Sequence, residues 1–232
     1  MITHPHYAPQ GEELSQKAAQ ARELFDSLTA GAEIHSEYLC ADWAVSGDNM
    51  VDVFNFYAYQ KDLIIVGQAS HDQSQADVPA DFPERVVLGS GRPVLVVPYT
   101  GSFSTVGERV LVGWKAGRAS ARAVNDAMPF LLKAEEVLVV TATSSGDRPV
   151  STTDQNADIC SHLKRHAITV REDTFVTEDV PVNNVLMNYA WEHGCDLLVM
   201  GIMAQSSHGP LAVRPVTKDF FEHMTVPVLM SH

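Results

Sequence analysis

Two histidines and a serine–histidine pair are the residues whose spacing first suggests chemistry. His162 and His166 are four residues apart in a stretch with helical periodicity, a spacing that two metal ligands can adopt. No glutamate follows His162 directly and no third ligand is signalled, so we interpret the two as a solvated pair. Ser207 precedes His208, but Ser206–Gly209 lacks the Gly-x-Ser-x-Gly turn of a nucleophilic serine and a positioned acid. The sequence therefore predicts neither a metal site nor a catalytic nucleophile, and we expect no enzyme.

The elements that would position any site occur twice along the chain. The run Asp62–Gly67 returns as Asp196–Gly201, and Pro93–Val96 returns as Pro227–Met230; both offsets are 134 positions (196 − 62 and 227 − 93). A repeat this long indicates a duplicated domain rather than a solenoid unit of about 20–50 residues. In each copy, a short apolar run rich in β-branched residues is followed by a second one after a helix-sized gap.

The second copy alternates strands and helices throughout. We predict strands at Val110–Trp114, Val137–Thr143, Ile168–Thr177, Leu197–Gly201 and Val226–Met230, and helices at Arg118–Lys133, Thr153–His166, Val182–His193 and Val216–Met224. This alternation indicates a parallel sheet that is covered by helices on both faces. We therefore expect a complete five-stranded α/β domain over residues 107–232.

The first copy, residues 1–100, is shorter. Its predicted helices are Glu12–Ser27, Met50–Tyr59 and Phe82–Leu88, and its predicted strands are Ile34–Trp43, Leu63–Gly67 and Val94–Pro98. Counterparts of the opening strand, the first helix and the second strand would fall before Met1, so we expect this copy to be incomplete. Either the reading frame lacks its true start, or another chain or segment fills the gap. Thr100–Gly107 is the expected linker between the copies.

Composition limits the classes of function. The chain is 45% hydrophobic and 19% charged, which suits a substantial core, and no run approaches the ~18 apolar residues of a membrane span. The formal net charge of −13 argues against a nucleic-acid binder, which needs a basic face, and favours repulsion from anionic membranes. Cys40, Cys160 and Cys195 show no CxxC spacing, which favours a reducing cytoplasm over a disulfide framework. We expect a cytoplasmic protein without nucleic-acid or membrane partners.

A set of motifs in the second copy resembles the signature of a known family. The motifs are Asp196–Gly201, Val216-Thr217 and His223–His232, preceded by Arg109–Trp114 and Arg118–Val124; Asp62–Gly67 and Gly91–Pro98 carry a weaker likeness in the first copy. Together they resemble the universal stress protein family. The resemblance implies an α/β fold with an open parallel five-stranded sheet sandwiched by helices, in the order 3-2-1-4-5, here duplicated in tandem with the first copy truncated. In such a sheet a ligand binds at the carboxyl ends of the strands, where the order switches.

The resemblance also implies a candidate nucleotide site in the second copy. Family members that bind ATP carry Gly-x2-Gly-x9-Gly-Ser/Thr after the fourth strand, because glycines let the backbone approach phosphate oxygens. The corresponding positions here, with two residues kept just beyond them, are Gly201, Ala204, Arg214, Pro215, Val216 and Thr217. Lys115, which follows Trp114, replaces the acidic residue that the family places near the adenosine. We expect a degenerate loop and no cofactor; the alternative is that Lys115 and Arg214 attract the phosphates of ATP or another adenine nucleotide.

Two functions follow from the resemblance. The first is a non-enzymatic stress-response protein that acts through protein contacts. The alternative is a regulatory module that binds an adenine nucleotide in the second copy. Because last strands in the family often meet across a dimer axis, we also expect a homodimer through the apolar edge strand formed by Val226, Pro227, Val228, Leu229 and Met230.

Overall fold

The computed structural model describes residues 12–31, 50–69, 78–144, 152–177, 182–202, 204–205, 212–213, 220–221 and 223–232. The chain divides into two compact units, Met1–Phe54 and Asn55–His232. This division does not coincide with the repeat copies at residues 1–100 and 107–232, whose boundaries remain a prediction. The first unit contains α1 (Glu12–Thr29) and the beginning of α2 (Met50–Ala58). The predicted strand Ile34–Trp43 lies outside the described residues.

The second unit is built on a seven-stranded sheet. Its strands are β1 (Ile64–Gly67), β2 (Val94–Val97), β3 (Arg109–Gly113), β4 (Glu136–Ser144), β5 (Val170–Thr177), β6 (Leu197–Gly201) and β9 (Val228–Ser231). Across the sheet the order is β1-β2-β9-β6-β3-β4-β5, and every neighbouring pair is parallel except β2 and β9. A separate antiparallel pair, β7 (Ala204–Gln205) and β8 (Ala212–Val213), lies between β6 and β9 along the chain.

Among the described residues, four helices with defined bounds connect the strands of this unit. They are α3 (Phe82–Gly89), α4 (Arg118–Leu131), α5 (Thr152–Arg165) and α6 (Val182–Glu192). Successive residues of β3, from Val110 to Val112, are all buried, as expected for a strand covered on both faces. The helices over one face contribute Val124 of α4 and Leu163 of α5 to the core. No helix in the described part of the chain is long and apolar enough to cross a bilayer.

The strands of the second copy confirm the expected order. Read as β5-β4-β3-β6-β9, they give 3-2-1-4-5 in the numbering of a single copy. The two copies do not form separate sheets, however, because β2 and β1 of the first copy extend the same sheet beyond β9. The strands of the two repeat copies therefore form one continuous sheet that changes strand direction once.

The last strand of the chain is not an edge strand. β9 pairs with β6 on one side, where Val228 lies opposite Leu198, and with β2 on the other, where Leu229 lies opposite Leu95. The expectation that Val226–Met230 offers unpaired backbone groups to a second chain is therefore wrong. Because the two copies are joined in one polypeptide, pairing between their last strands is intramolecular and needs no second chain. The homodimer itself remains a prediction that this pairing does not test.

A buried glutamine links the two copies beside this strand pair. Gln68, which follows β1 and is 7% exposed, donates from Nε2 to the carbonyl oxygen of Phe221 at 2.9 Å. Its Oε1 accepts the backbone N–H of Tyr99 at 3.1 Å. The residue at the repeat position of Gln68 is Ile202, which is apolar and cannot make these hydrogen bonds. The role of Gln68 is therefore specific to the junction between the two copies, where β2 meets β9.

We expect Gln68→Leu to lower the free energy of unfolding by about 1–2 kcal/mol, because it deprives two backbone groups of their buried partner. Chemical denaturation followed by tryptophan fluorescence measures this change, since Trp114 and Trp191 both lie in the second unit. The exposed Gln60→Leu is the matched control and should change stability by less than about 0.5 kcal/mol. Equal effects of the two variants would contradict the assigned role of Gln68.

Candidate functional site

The strand order switches beside β3, and the residues after β3 and β6 lie at this point. β3 is parallel to both β4 and β6, and its register pairs Gly113 with Met200. Trp114 and Lys115 follow β3 directly, and Gly201 ends β6. The structure thus brings three of the predicted site residues to the carboxyl ends of two neighbouring strands, where α/β sheets bind ligands.

The remaining predicted site residues are not assembled around this point by the described structure. The backbone of Ala204 lies in β7, where it pairs with Val213. Arg214, Val216 and Thr217 lie outside the described residues. The proposed partnership of Lys115 with Arg214 therefore stays a prediction.

The backbone at Trp114 is held against β4. Its N–H donates to the carbonyl of Val140 at 2.8 Å, and its own carbonyl accepts the hydroxyl of Thr141 at 3.1 Å. The indole Nε1 is buried and has no hydrogen-bond partner among the described residues, whereas a buried tryptophan N–H usually has one. Lys115, the next residue, is exposed. A buried donor and a solvated cation therefore lie side by side at the switch point.

Gly201 allows the first turn of α4 to pack against the end of β6. A Cβ placed on Gly201 would lie 2.3 Å from the carbonyl carbon of Ala119 and 2.3 Å from the backbone nitrogen of Ser120. Backbone atoms cannot move aside as the end of a flexible side chain can, so only glycine fits here. The resemblance implies that Gly201 is a glycine of a phosphate-binding loop. The packing of α4 in the structure is enough to explain why a glycine occupies this position.

Asp196 performs a positioning role that the sequence does not reveal. Its Oδ1 accepts the backbone N–H groups of Gly107 and Arg109, both at 3.0 Å, and its Oδ2 accepts that of Glu108 at 3.2 Å. The carboxylate thereby fixes the chain where it enters β3. Trp114 and Lys115 follow the other end of this strand. The sequence does contain one signal for this role, since the same aspartate recurs in the first copy as Asp62. The recurrence can be explained only once the contacts of Asp196 are known.

The buried cysteines and the histidine pair of the described structure do not form a site together. Burial raises the pKa of the Cys160 thiol to about 11 and that of the Cys195 thiol to about 11, so both are protonated at neutral pH. The rings of His162 and His166 lie 4.9 Å apart on exposed positions of α5 and the turn after it. The described residues contain no group of three or more side chains that could hold a metal ion.

Comparison with known proteins places this geometry in a known fold. Neither a protein-family model nor a curated protein matches the sequence. A crystal structure of a universal stress protein from Archaeoglobus fulgidus matches 99% of this chain and 82% of its own, with a TM-score of 0.69 and 17% sequence identity. The chain has the universal stress protein fold. A Pseudomonas aeruginosa protein named for the same family matches 96% of this chain and 79% of its own, with a TM-score of 0.59 and 14% identity.

This likeness confirms the fold that the motifs of the second copy imply. Within the fold, Trp114 and Lys115 directly follow the carboxyl end of β3, and Gly201 ends the neighbouring strand β6.

Proposed function

We propose that this protein is a non-enzymatic stress-response protein that acts through contacts with other proteins. The observation that carries the proposal is the close packing at Gly201, where the backbone of α4 fills the space that a glycine leaves open. Where the resemblance implies an acidic residue near the adenosine, the chain has the exposed Lys115. The loop pattern is degenerate at Ala204, Arg214 and Pro215. These features favour a binding protein over a nucleotide-dependent one.

The proposal extends to where and how the protein acts. The absence of CxxC spacing among three cysteines and the protonated, buried thiols of Cys160 and Cys195 are compatible with a reducing cytoplasm. A homodimer remains part of the proposal, but its interface has to lie away from β9, whose two edges are occupied within the chain.

The alternative function is an adenine-nucleotide-binding regulatory module in the second copy. Its specific support is the buried Nε1 of Trp114, which lacks a partner among the described residues, next to the exposed Lys115 at the switch point. The N-terminus of α4 begins a few residues later at Arg118 and directs backbone N–H groups to the same end of the sheet. ATP or another adenylate would then be the cofactor.

Titration of the nucleotide-stripped protein with ATP separates the two functions. For the protein-contact function we expect no heat of binding and no nucleotide in the purified protein by mass spectrometry. Binding in the micromolar range would contradict it and favour the alternative. In that case Lys115→Glu should abolish binding, whereas Lys133→Glu, a matched change at an exposed lysine just after α4, should not.

A further inference from the structure

The edge of the sheet at β1 is the first-copy counterpart of the interior strand β6. The offset of 134 positions (196 − 62) aligns Asp62, Ile65 and Gly67 with Asp196, Val199 and Gly201. β6 lies between β9 and β3, whereas β1 pairs with β2 alone and ends the sheet. The place that β3 takes beside β6 is therefore open beside β1 in the described part of the chain.

The aspartate that would hold the entry of an incoming strand is present and unused. Asp196 accepts the three backbone N–H groups of residues 107–109 where the chain enters β3. Its counterpart Asp62 is exposed and makes no hydrogen bond with the described residues. Asp62 thus occupies the position of a strand acceptor and holds no strand in the described part of the chain.

The apolar side chain at the middle of the open edge is exposed. Ile65 is 63% exposed, whereas its counterpart Val199 is 0% exposed and lies in the core cluster with Val124 and Ala127 of α4. The opposite face of β1 is covered, since Ile64 and Val66 are buried. The exposed face of β1 therefore corresponds to the face of β6 that α4 covers in the second copy.

The first copy also has a glycine, Gly67, at the position where Gly201 lets α4 pack against the strand in the second copy. A Cβ on Gly201 would meet the backbone of α4 at 2.3 Å, whereas a Cβ on Gly67 would meet nothing within 4 Å. Nothing in the described structure requires glycine at position 67, where the backbone is extended and φ is not positive. The space above Gly67 corresponds to the space that the first turn of α4 fills above Gly201.

The backbone of β1 is available for strand addition. The N–H groups of Ile64 and Gln68 donate to Pro93 and Val97 on the β2 side. Since alternate residues of a parallel strand face the same neighbour, Ile65 and Gly67 direct their backbone groups to the open edge. The strand carries none of the charged residues, prolines or bulges that usually protect an exposed edge.

We infer that the open edge of β1 is a docking site for a strand–helix segment of a partner polypeptide. The partner supplies a parallel apolar strand whose first backbone N–H groups bind Asp62, followed by a helix whose first turn packs over Gly67. This is strand addition to a sheet edge, in which main-chain hydrogen bonds provide affinity and alternate side chains provide specificity. The inference rests on the proposed function and specifies the class of partner.

The protein's own β3–α4 segment provides the probe. A dye-labelled synthetic peptide of residues 107–131 contains the strand, its entry amides and the helix that pack on β6 in the second copy. We expect saturable binding to the 232-residue protein by fluorescence anisotropy, and none for a scrambled peptide of equal composition. Hydrogen exchange should show new protection at the backbone N–H groups of Ile65 and Gly67.

Two substitutions locate the binding at the β1 edge. Gly67→Ala leaves the free protein folded, but its methyl group would meet the backbone of the incoming helix, so affinity for the peptide should fall at least about tenfold. Asp62→Ala removes the acceptor for the entry amides and should weaken binding by about tenfold as well. Asp158→Ala on α5 changes the net charge equally at another exposed aspartate and should leave affinity unchanged.

Three outcomes would overturn the inference. A folded protein that does not bind the peptide, or binds it equally with Gly67→Ala, has no such docking site. Protection of the Ile65 backbone N–H from hydrogen exchange in the protein without added peptide would mean that the edge is already occupied. The mass of the protein in solution would then distinguish a second copy of the chain from a segment of the same chain. The ATP titration remains independent, so failure of the peptide to bind would not by itself overturn the protein-contact function.

Discussion

Gly201→Ala is expected to lower the free energy of unfolding by about 2–3 kcal/mol. The added methyl group would lie 2.3 Å from backbone atoms of Ala119 and Ser120, so either α4 or β6 has to shift. Because both elements contribute to the same core cluster, a shift of one disturbs the packing around Val124 and Val199. Denaturation by urea with tryptophan fluorescence gives the change as a lower midpoint at an unchanged slope.

The matched control is the same substitution at the repeat position. Gly67→Ala places the methyl group in open space, and removing the flexibility of glycine from a strand should leave stability unchanged or raise it by up to about 1 kcal/mol. Equal losses at Gly67 and Gly201 would contradict the packing role of Gly201. A tolerated Gly201→Ala would also remove the main support for the proposed function, since it would show that the space is available.

Asp196→Ala is expected to lower the free energy of unfolding by a similar amount, about 2–3 kcal/mol. The substitution leaves the N–H groups of Gly107, Glu108 and Arg109 without their charged acceptor, and hydrogen bonds to a charged group contribute about 1.5–3 kcal/mol each when they are not shared with solvent. The N–H of Glu108 is exposed, so the three contributions do not add fully. The same denaturation measurement applies.

Two variants determine whether the carboxylate itself is responsible. Asp196→Asn retains one carbonyl oxygen for the amides of Gly107 and Arg109 and should cost less than Asp196→Ala. Asp62→Ala, the same change at the repeat position, should alter stability by less than about 0.5 kcal/mol, because Asp62 holds nothing in the described structure. A large loss at Asp62 in the absence of a partner would indicate that the β1 edge is already occupied.

Much of the second copy could be predicted from the sequence, because its signals are local. β6 has the predicted bounds Leu197–Gly201, and α6 begins at the predicted Val182. Gly194 ends that helical segment with a φ of 61°, a backbone conformation that glycine adopts without strain. Alternation of apolar strands and helices gives the parallel sheet, since both signals depend on side-chain spacing within a few residues.

The candidate site was predictable only in part. Trp114, Lys115 and Gly201 could be placed together from the strand order, because the ends of adjacent parallel strands share one edge of the sheet. The packing role of Gly201 could not, since a glycine required by a neighbouring helix and one required by a ligand look identical in a sequence. The role of Asp196 was hidden for the same reason: its partners are backbone groups nearly 90 residues away along the chain.

The sequence by itself determined the α/β class, the approximate bounds of most strands and helices, and the recurrence of its apolar runs at an offset of 134 positions (196 − 62). That the first copy lacks its opening elements remains a prediction. Only the tertiary structure decided that β9 pairs with β2 inside one chain, that Gln68 holds this junction, and that β1 is the edge of the sheet among the described residues. The difference has a physical reason. Secondary structure follows from the spacing of side chains along the chain, which the sequence displays directly. A sheet edge depends on which strand lies beside it. Backbone hydrogen bonds between distant strands can be made by almost any residue, so the sequence does not reveal which strands will pair.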